Sequence, residues 1–260
     1  MNLLPIVRIE DIIKIYEGKV THRALDRLSF EVTDGEFLAV MGPSGSGKTT
    51  LLNLISGIDK PTSGRILVAG TDPSELKPDE AARFRRQELG FIFQDFNLLR
   101  MLTVEENIVL PLTLDQVPVK EMDARMRAAA KRLGLSDILH KRPDEISGGQ
   151  EQRTAIARAL IHRPSLVLAD EPTGNLDSHA AREVLDLMTA INRENGTTLV
   201  MVTHDPIAAS YCDRVLFIKD GAYYNEIHRD DRRRTFFQRI LNMLSLLGGN
   251  VDDLSSVRLP

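Results

Sequence analysis

A lysine set behind closely spaced glycines and followed by two threonines is the first constellation in the chain with a clear chemistry. Gly42-Pro43-Ser44-Gly45-Ser46-Gly47-Lys48-Thr49-Thr50 fits the pattern G-x-x-x-x-G-K-[ST] at Gly42, Gly47, Lys48 and Thr49. Glycines let backbone N–H groups close around a phosphate without Cβ clashes. A helix starting there adds unpaired N–H groups and the positive end of its dipole. In such a loop Lys48 reaches the β- and γ-phosphates of a nucleotide, and the Thr49 hydroxyl ligates Mg²⁺. A second constellation, Asp170-Glu171, closes the apolar run Leu166-Val167-Leu168-Ala169. The ends of buried strands are where α/β proteins gather ligands, so Asp170 is the expected metal partner. Glu171 is the expected general base for an attacking water. A third stretch, Ser147-Gly148-Gly149-Gln150, again puts glycines immediately before a helix. Its N–H groups and the Ser147 hydroxyl can meet a second anion.

Positioning these groups takes strands that end at them. Phe37-Leu38-Ala39-Val40-Met41 is short and wholly apolar, as a buried parallel strand should be. A helix over 50–56 follows the glycine loop and stops at Gly57. Upstream, residues 7–15 and 28–32 read as strands, and Asp34-Gly35 as a turn, which predicts an antiparallel opening. Further strands are expected over 65–70, 90–93 and 198–202, the last two ending at Gln94 and at Thr203-His204. Short helices are expected over 80–87 and 207–211, and a longer one over 180–192. Residues 215–218 and 222–224 flank Asp220-Gly221, a hairpin signal.

Between 95 and 163 strand signals vanish. Helices are predicted over 104–110, with Thr103 as N-cap and Glu105 and Glu106 in the first turn, and over 120–133 and 150–162. This block reads as a helical subdomain inserted into an α/β core. Near the end, Phe236, Ile240, Met243 and Leu247 share one helical face. That face is expected to pack on its own core, the sharper alternative being a contact with a partner. Residues from 248 read as a flexible tail.

The chain has 260 residues and a net charge of -4, so no chain-wide basic footprint for nucleic acid exists. The arginine clusters Arg83, Arg85, Arg86 and Arg232-Arg233-Arg234 read as solvated faces, the alternative being contact with a partner or a lipid surface. Cys212 is the single cysteine, which excludes an intrachain disulfide and fits a cytosolic setting. The opening residues lack a signal pattern, and no apolar run approaches the roughly 20 residues that span a bilayer.

With Ile146 in front, Ser147-Gly148-Gly149-Gln150 resembles the signature motif of ATP-binding cassette (ABC) ATPases, usually written LSGGQ. Gln152-Arg153 and Ala155-Ile156-Ala157-Arg158-Ala159-Leu160 extend the match, and the resemblance spans roughly residues 6–225. It implies a P-loop NTPase (RecA-like) α/β core with an N-terminal antiparallel β subdomain and an inserted helical subdomain. Residues 1–228 would form the nucleotide-binding domain, with its helical subdomain at about 95–163. Residues 229–260 would form a C-terminal amphipathic helix and tail. ATP and Mg²⁺ are the implied cofactors, with Thr49, Gln94 and Asp170 at the metal. Tyr16 matches the residue that stacks on adenine. Gln94 matches the glutamine that contacts Mg²⁺ or the water and links the site to the helical insert. His204 matches the switch histidine at the γ-phosphate. Asn175-Leu176-Asp177 matches the loop that crosses to the opposite subunit, where Asp177 and the signature residues would meet the nucleotide. One P-loop and one signature per chain imply a head-to-tail dimer with a second copy, closing over two ATP molecules. The resemblance also implies a separate integral membrane permease, and a peripheral location on the cytoplasmic face of the membrane.

Within the family, 91–99 and 169–177 resemble the branch of lipoprotein-releasing and macrolide-export ATPases. Val202-Thr203-His204-Asp205-Pro206-Ile207-Ala208-Ala209-Ser210-Tyr211-Cys212 and Arg234-Thr235-Phe236-Phe237-Gln238-Arg239-Ile240-Leu241 resemble the ATPase subunits of bacitracin- and lantibiotic-resistance (Bce-type) transporters. Ile146 and Glu151 fit that branch too. This implies resistance to cell-wall-targeting peptide antibiotics and a sensor histidine kinase reached through the permease. The alternatives are lipoprotein release or macrolide export, a non-transport ABC ATPase, and a regulatory module that binds ATP without hydrolysing it. The helical block is too short for a DNA-repair member, and translation members carry two cassettes. Glu171 argues for hydrolysis.

Overall fold

The computed structural model describes residues 5–18, 20–230 and 232–248. Strand β3 (Phe37–Met41) lies inside a six-stranded sheet and is buried along its whole length. Its parallel neighbours are β7 (Thr198–Val202) and β8 (Arg214–Lys219). Outward from β7 come β6 (Leu166–Asp170) and β5 (Leu89–Ile92), both parallel, and beyond β8 lies β9 (Ala222–His228), antiparallel. The order is therefore β5-β6-β7-β3-β8-β9. The apolar runs carry no alternation because both faces are covered. Side chains alternate between faces along a strand. Phe37, Ala39 and Met41 join one core with Val167, Ala169, Leu199, Met201, Val215 and Phe217. Leu38 and Val40 join a second core with Leu166, Leu168, Val200, Val202, Leu216 and Ile218.

The second core is capped by a three-stranded antiparallel sheet, β2-β1-β4, built from β1 (Pro5–Tyr16), β2 (His22–Thr33) and β4 (Ser63–Val68). The opening is antiparallel, as expected, but β2 starts well before 28. Its first half pairs with β1 through register shifts, and Arg27 takes a left-handed φ of 50°. These bulges break the alternation that marks a strand in sequence.

Helix α1 (Lys48–Ile55) follows the glycine loop, and α2 (Pro78–Glu88) leads into β5. The helical block holds α3 (Val104–Leu114), α4 (Val119–Leu133) and α5 (Gly148–Leu160), with two short 3₁₀ turns between α4 and α5. Thr103 caps α3 as expected, accepting from the Glu106 N–H. The helix runs past 110 with Pro111 inside it, because Val104, Ile108 and Leu112 anchor one continuous buried face. Helix α5 lies directly on β5: a Cβ at Gly90 would stand 2.4 Å from the Ala159 carbonyl oxygen. Helices α6 (Ser178–Asn195) and α7 (Pro206–Ala209) flank β7, and Asp220 and Gly221 turn the β8–β9 hairpin with φ of 51° and 77°.

Helix α8 (Arg233–Leu246) buries Phe236 and Ile240 in the first core, with Leu247 just beyond its end. The Arg233 guanidinium lies 3.7 Å from the centre of the Tyr211 ring. The apolar face expected from spacing therefore packs on its own core. Phe236→Ala should cost about 3–5 kcal/mol in a denaturant-unfolding measurement, as for other buried aromatics. The expected flexible tail, apart from Gly248, lies outside the described residues. Among the described residues no helix is long and apolar enough to cross a membrane.

Candidate active site

The register of the large sheet brings the site together. Ile92 pairs with Ala169, Asp170 with Val202, and Val202 with Val40. The carboxyl ends of β5, β6, β7 and β3 thus lie side by side, and from them emerge Gln94, Asp170-Glu171, Thr203-His204 and the glycine loop. This is the crevice where open α/β sheets bind ligands. A cleft of about 360 Å³ opens there, lined by Ser44, Gly45, Gly47, Lys48, Thr49, Thr50, Tyr16, Gln94, Asp170 and Glu171. Gly42, Pro43 and Ser46 form the loop behind that lining.

Helix α1 leaves its N-terminus open. Its N-cap is Gly47, at φ 96°, with no side chain to cap the first-turn N–H groups, and no acid stands in that turn. A Cβ at Gly47 would lie 2.3 Å from the Ala24 carbonyl oxygen, so only glycine fits. By contrast, Asp177 caps α6, accepting from the His179 and Ala180 N–H groups at 2.9 and 3.0 Å. An uncapped N-terminus beside a lysine is an anion site. The Ser46 hydroxyl is buried with no hydrogen-bond partner. Lys48 Nζ donates to the Gly42 and Pro43 carbonyls at 2.8 and 2.9 Å. Burial pushes its ammonium below the usual lysine range, opposed by the nearby Glu171 and Asp170 carboxylates. Burial likewise pushes the Asp170 carboxyl up, with repulsion from Glu171 adding to it and Lys48 opposing.

Glu171 adopts a left-handed backbone, φ 46°, and its N–H donates to the Val202 carbonyl at 2.9 Å. This turns its carboxylate onto the end of β7. There Oε2 accepts from the Thr203 hydroxyl at 3.0 Å, and Oε1 accepts from the His204 N–H at 3.0 Å. The His204 Nδ1 lies 2.7 Å from the same oxygen, with the imidazole largely exposed. Gln94 donates to the Asn175 side chain at 3.2 Å, and Asn175 returns a bond to the Gln94 carbonyl. Tyr16 stands at the rim, its hydroxyl donating to Asp59 at 2.8 Å and its ring facing Lys14 Nζ at 4.7 Å.

The structure brings together Tyr16, the glycine loop, Gln94, Asp170, Glu171 and His204. It does not bring in Ser147, Gly148, Gly149, Gln150 or Asp177, none of which lines the cleft. Ser147 caps α5, its hydroxyl accepting from the Gln150 N–H at 3.4 Å while Gln150 Oε1 accepts from the Ser147 N–H at 3.0 Å. Several contributors were not singled out from sequence. His22 and Ala24 line the cleft from β2, Thr203 holds Glu171, Asn175 holds Gln94, and Asp59 holds Tyr16. Asn175 alone carried a signal, as the first residue of Asn175-Leu176-Asp177.

The sequence profile of the ABC transporter family matches residues 25–174. The chain belongs to the ABC transporter ATPase family. It is the ATP-binding, ATP-hydrolysing subunit of a transporter. This ABC ATPase is 56% identical over 253 residues to the ABC transporter ATP-binding protein YxdL of Bacillus subtilis, covering 97% of this chain and 98% of that one. It is 48% identical over 252 residues to the bacitracin export ATP-binding protein BceA of Halalkalibacterium halodurans, covering 96% and 100%. Among solved structures, the ATP-binding cassette MJ0796 of Methanocaldococcus jannaschii, a dimer bound to ADP and Pi, superposes with a TM-score of 0.79 at 38% identity. The superposition covers 86% of this chain and 99% of the other. The P-loop core, the antiparallel β subdomain and the helical block agree with that fold.

Proposed function

We propose that this ABC ATPase powers a separate membrane permease that protects the cell from cell-wall-targeting peptide antibiotics. It would do so as a head-to-tail dimer of two copies on the cytoplasmic face of the membrane. The observation that carries the dimer is the incomplete site. Lys48, Asp170, Glu171 and Gln94 share one cleft, whereas Ser147, Gly148, Gly149 and Gln150 lie outside it, at the N-terminus of α5. A signature arriving from another copy would supply the missing wall over the γ-phosphate. The dimeric state of the related cassette bound to ADP and Pi supports the two-copy part of this reading.

In each site Tyr16 would stack on the adenine, the glycine loop and Lys48 would hold the phosphates, and Glu171 would take a proton from the attacking water. Thr49, Asp170 and Gln94 are the residues that would hold Mg²⁺. Among the described residues no group of three or more His, Cys, Asp or Glu could hold a metal by itself. That fits Mg²⁺, which keeps waters and substrate phosphates among its ligands. Bound there it would neutralise charge on the phosphates. His204, hydrogen-bonded to Glu171, would orient the carboxylate and sense the γ-phosphate. ATP would favour the closed dimer, and hydrolysis would remove that preference.

The antibiotic branch is supported by the 48% identity to a bacitracin export subunit over nearly the whole chain. The test is growth. Expressing the chain with its permease in a bacitracin-sensitive Gram-positive host should raise the inhibitory concentration of bacitracin or a lantibiotic, and Lys48→Ala should abolish the gain. No gain for either class of peptide, with both proteins present in the membrane fraction, would overturn the antibiotic reading and leave the ATPase intact.

A further inference from the structure

Gln152 lies on α5, two residues beyond the signature, and is fully buried. Its side-chain amide donates to the Pro172 carbonyl and, at 3.5 Å, to the Phe93 carbonyl. Pro172 follows Glu171 directly, and Phe93 precedes Gln94 directly. Both partner atoms are acceptors, which fixes the amide with its nitrogen toward them. The Oε1 of Gln152 is left buried with no hydrogen-bond partner. Such an orphan is destabilising. A methionine would fill the same space without it, so the donor pair is what this position retains.

The same helix holds the far end of the Gln94 segment. Arg158 donates to the Asn97 and Phe96 carbonyls at 2.6 and 2.8 Å. Phe96 and Asn97 are successive non-glycine residues with left-handed φ of 59° and 49°, and Glu171 is left-handed as well. Each such backbone is disfavoured for an L-residue and persists only where its surroundings determine it. Helix α5 contributes to that on the Gln94 side through Gln152 and Arg158; on the Glu171 side the turn is held by the backbone bond to Val202, and Gln152 holds the carbonyl of the next residue, Pro172.

We infer that Gln152 is a positioning residue, setting Gln94 and Glu171 of its own chain according to whether the signature at the head of α5 has engaged a phosphate. A displacement of α5 at Ser147 would reach both catalytic loops through one buried amide. Each site would thereby act only when its chain's signature has closed over the ATP of the other copy. The inference rests on the two-copy reading above and adds to it the path by which the two sites communicate.

Gln152→Met and Gln152→Glu in the full chain test it. Both keep the size of the side chain and remove the donor pair. Expected is a fluorescent ATP analogue bound within about twofold of wild-type affinity, with kcat lowered about tenfold or more. An ATP-bound dimer should also accumulate, by size exclusion with light scattering, although Glu171 is intact. A merely structural role would lose the dimer along with the rate. A kcat within about twofold of wild type overturns the inference, as does a fall in kcat with no dimer accumulating. If the Met variant fails to fold, the Glu variant carries the same readouts. Glu171→Gln is the control. Should it also remain monomeric with ATP, the two-copy reading fails and the inference about Gln152 falls with it; a dimer with Glu171→Gln but none with the Gln152 variants overturns the inference alone.

Discussion

Glu171→Gln is expected to lower ATP turnover by about 10²–10⁴-fold while nucleotide affinity stays near wild type. The substitution is isosteric, and the amide oxygen can still accept from Thr203 or from the His204 N–H, which now hold Oε2 and Oε1 at 3.0 Å each. The left-handed turn at residue 171 is fixed by the backbone bond to Val202, which the side chain does not touch. What disappears is the proton acceptor. Loss of an interaction made only in the transition state lowers kcat and leaves ground-state binding alone. The measurement is steady-state phosphate release alongside equilibrium binding of a fluorescent ATP analogue. Turnover near wild type would remove Glu171 from the role of base.

Lys48→Ala is expected to weaken ATP binding by roughly 10- to 100-fold, since hydrogen bonds to charged groups contribute about 1.5–3 kcal/mol each. Lys48 is half-buried, and burial already disfavours its charge, so a bound triphosphate offers a stronger partner than the two carbonyls that now hold it. Fold stability should change little, because Lys48 gives up only its bonds to one exposed carbonyl, that of Pro43, and one part-buried carbonyl, that of Gly42. Thermal unfolding separates the two effects. ATP should raise the wild-type Tm through binding linkage and leave the variant's Tm nearly unmoved. A nucleotide affinity like wild type would contradict the assigned role.

Much of the site was legible because its chemistry is local in sequence. The glycine loop, Asp170-Glu171 and Ser147-Gly148-Gly149-Gln150 each declare themselves within a few residues. The strands that carry them are short apolar runs, and the sheet covers both faces of each. What stayed hidden is tertiary. Asp59 reaches Tyr16 across 43 residues, and Thr203 reaches Glu171 across 32. His22 and Ala24 were missed for a different reason. The bulged start of β2 breaks the period of two, so the part of the strand that lines the cleft carries no strand signal in the sequence. Gln152 looked like one more residue of an extended signature. Only the placement of the Phe93 and Pro172 carbonyls gives its amide a task. The C-terminal helix shows the limit from the other side: spacing gave its apolar face correctly, but only coordinates show that Phe236 and Ile240 cover this chain's own core.

If the cleft around Lys48 is half of a site completed by the signature of a second copy, mass in solution should depend on nucleotide. The decisive measurement is light scattering on purified Glu171→Gln, with and without ATP and Mg²⁺, together with a count of nucleotide bound per chain. The expected result is a monomer without ATP and a dimer holding one ATP per chain with it, reverting when Ser147→Arg is added to block the signature. A protein that remains monomeric at saturating ATP, or one whose dimer is indifferent to ATP and to Ser147→Arg, would contradict the claim.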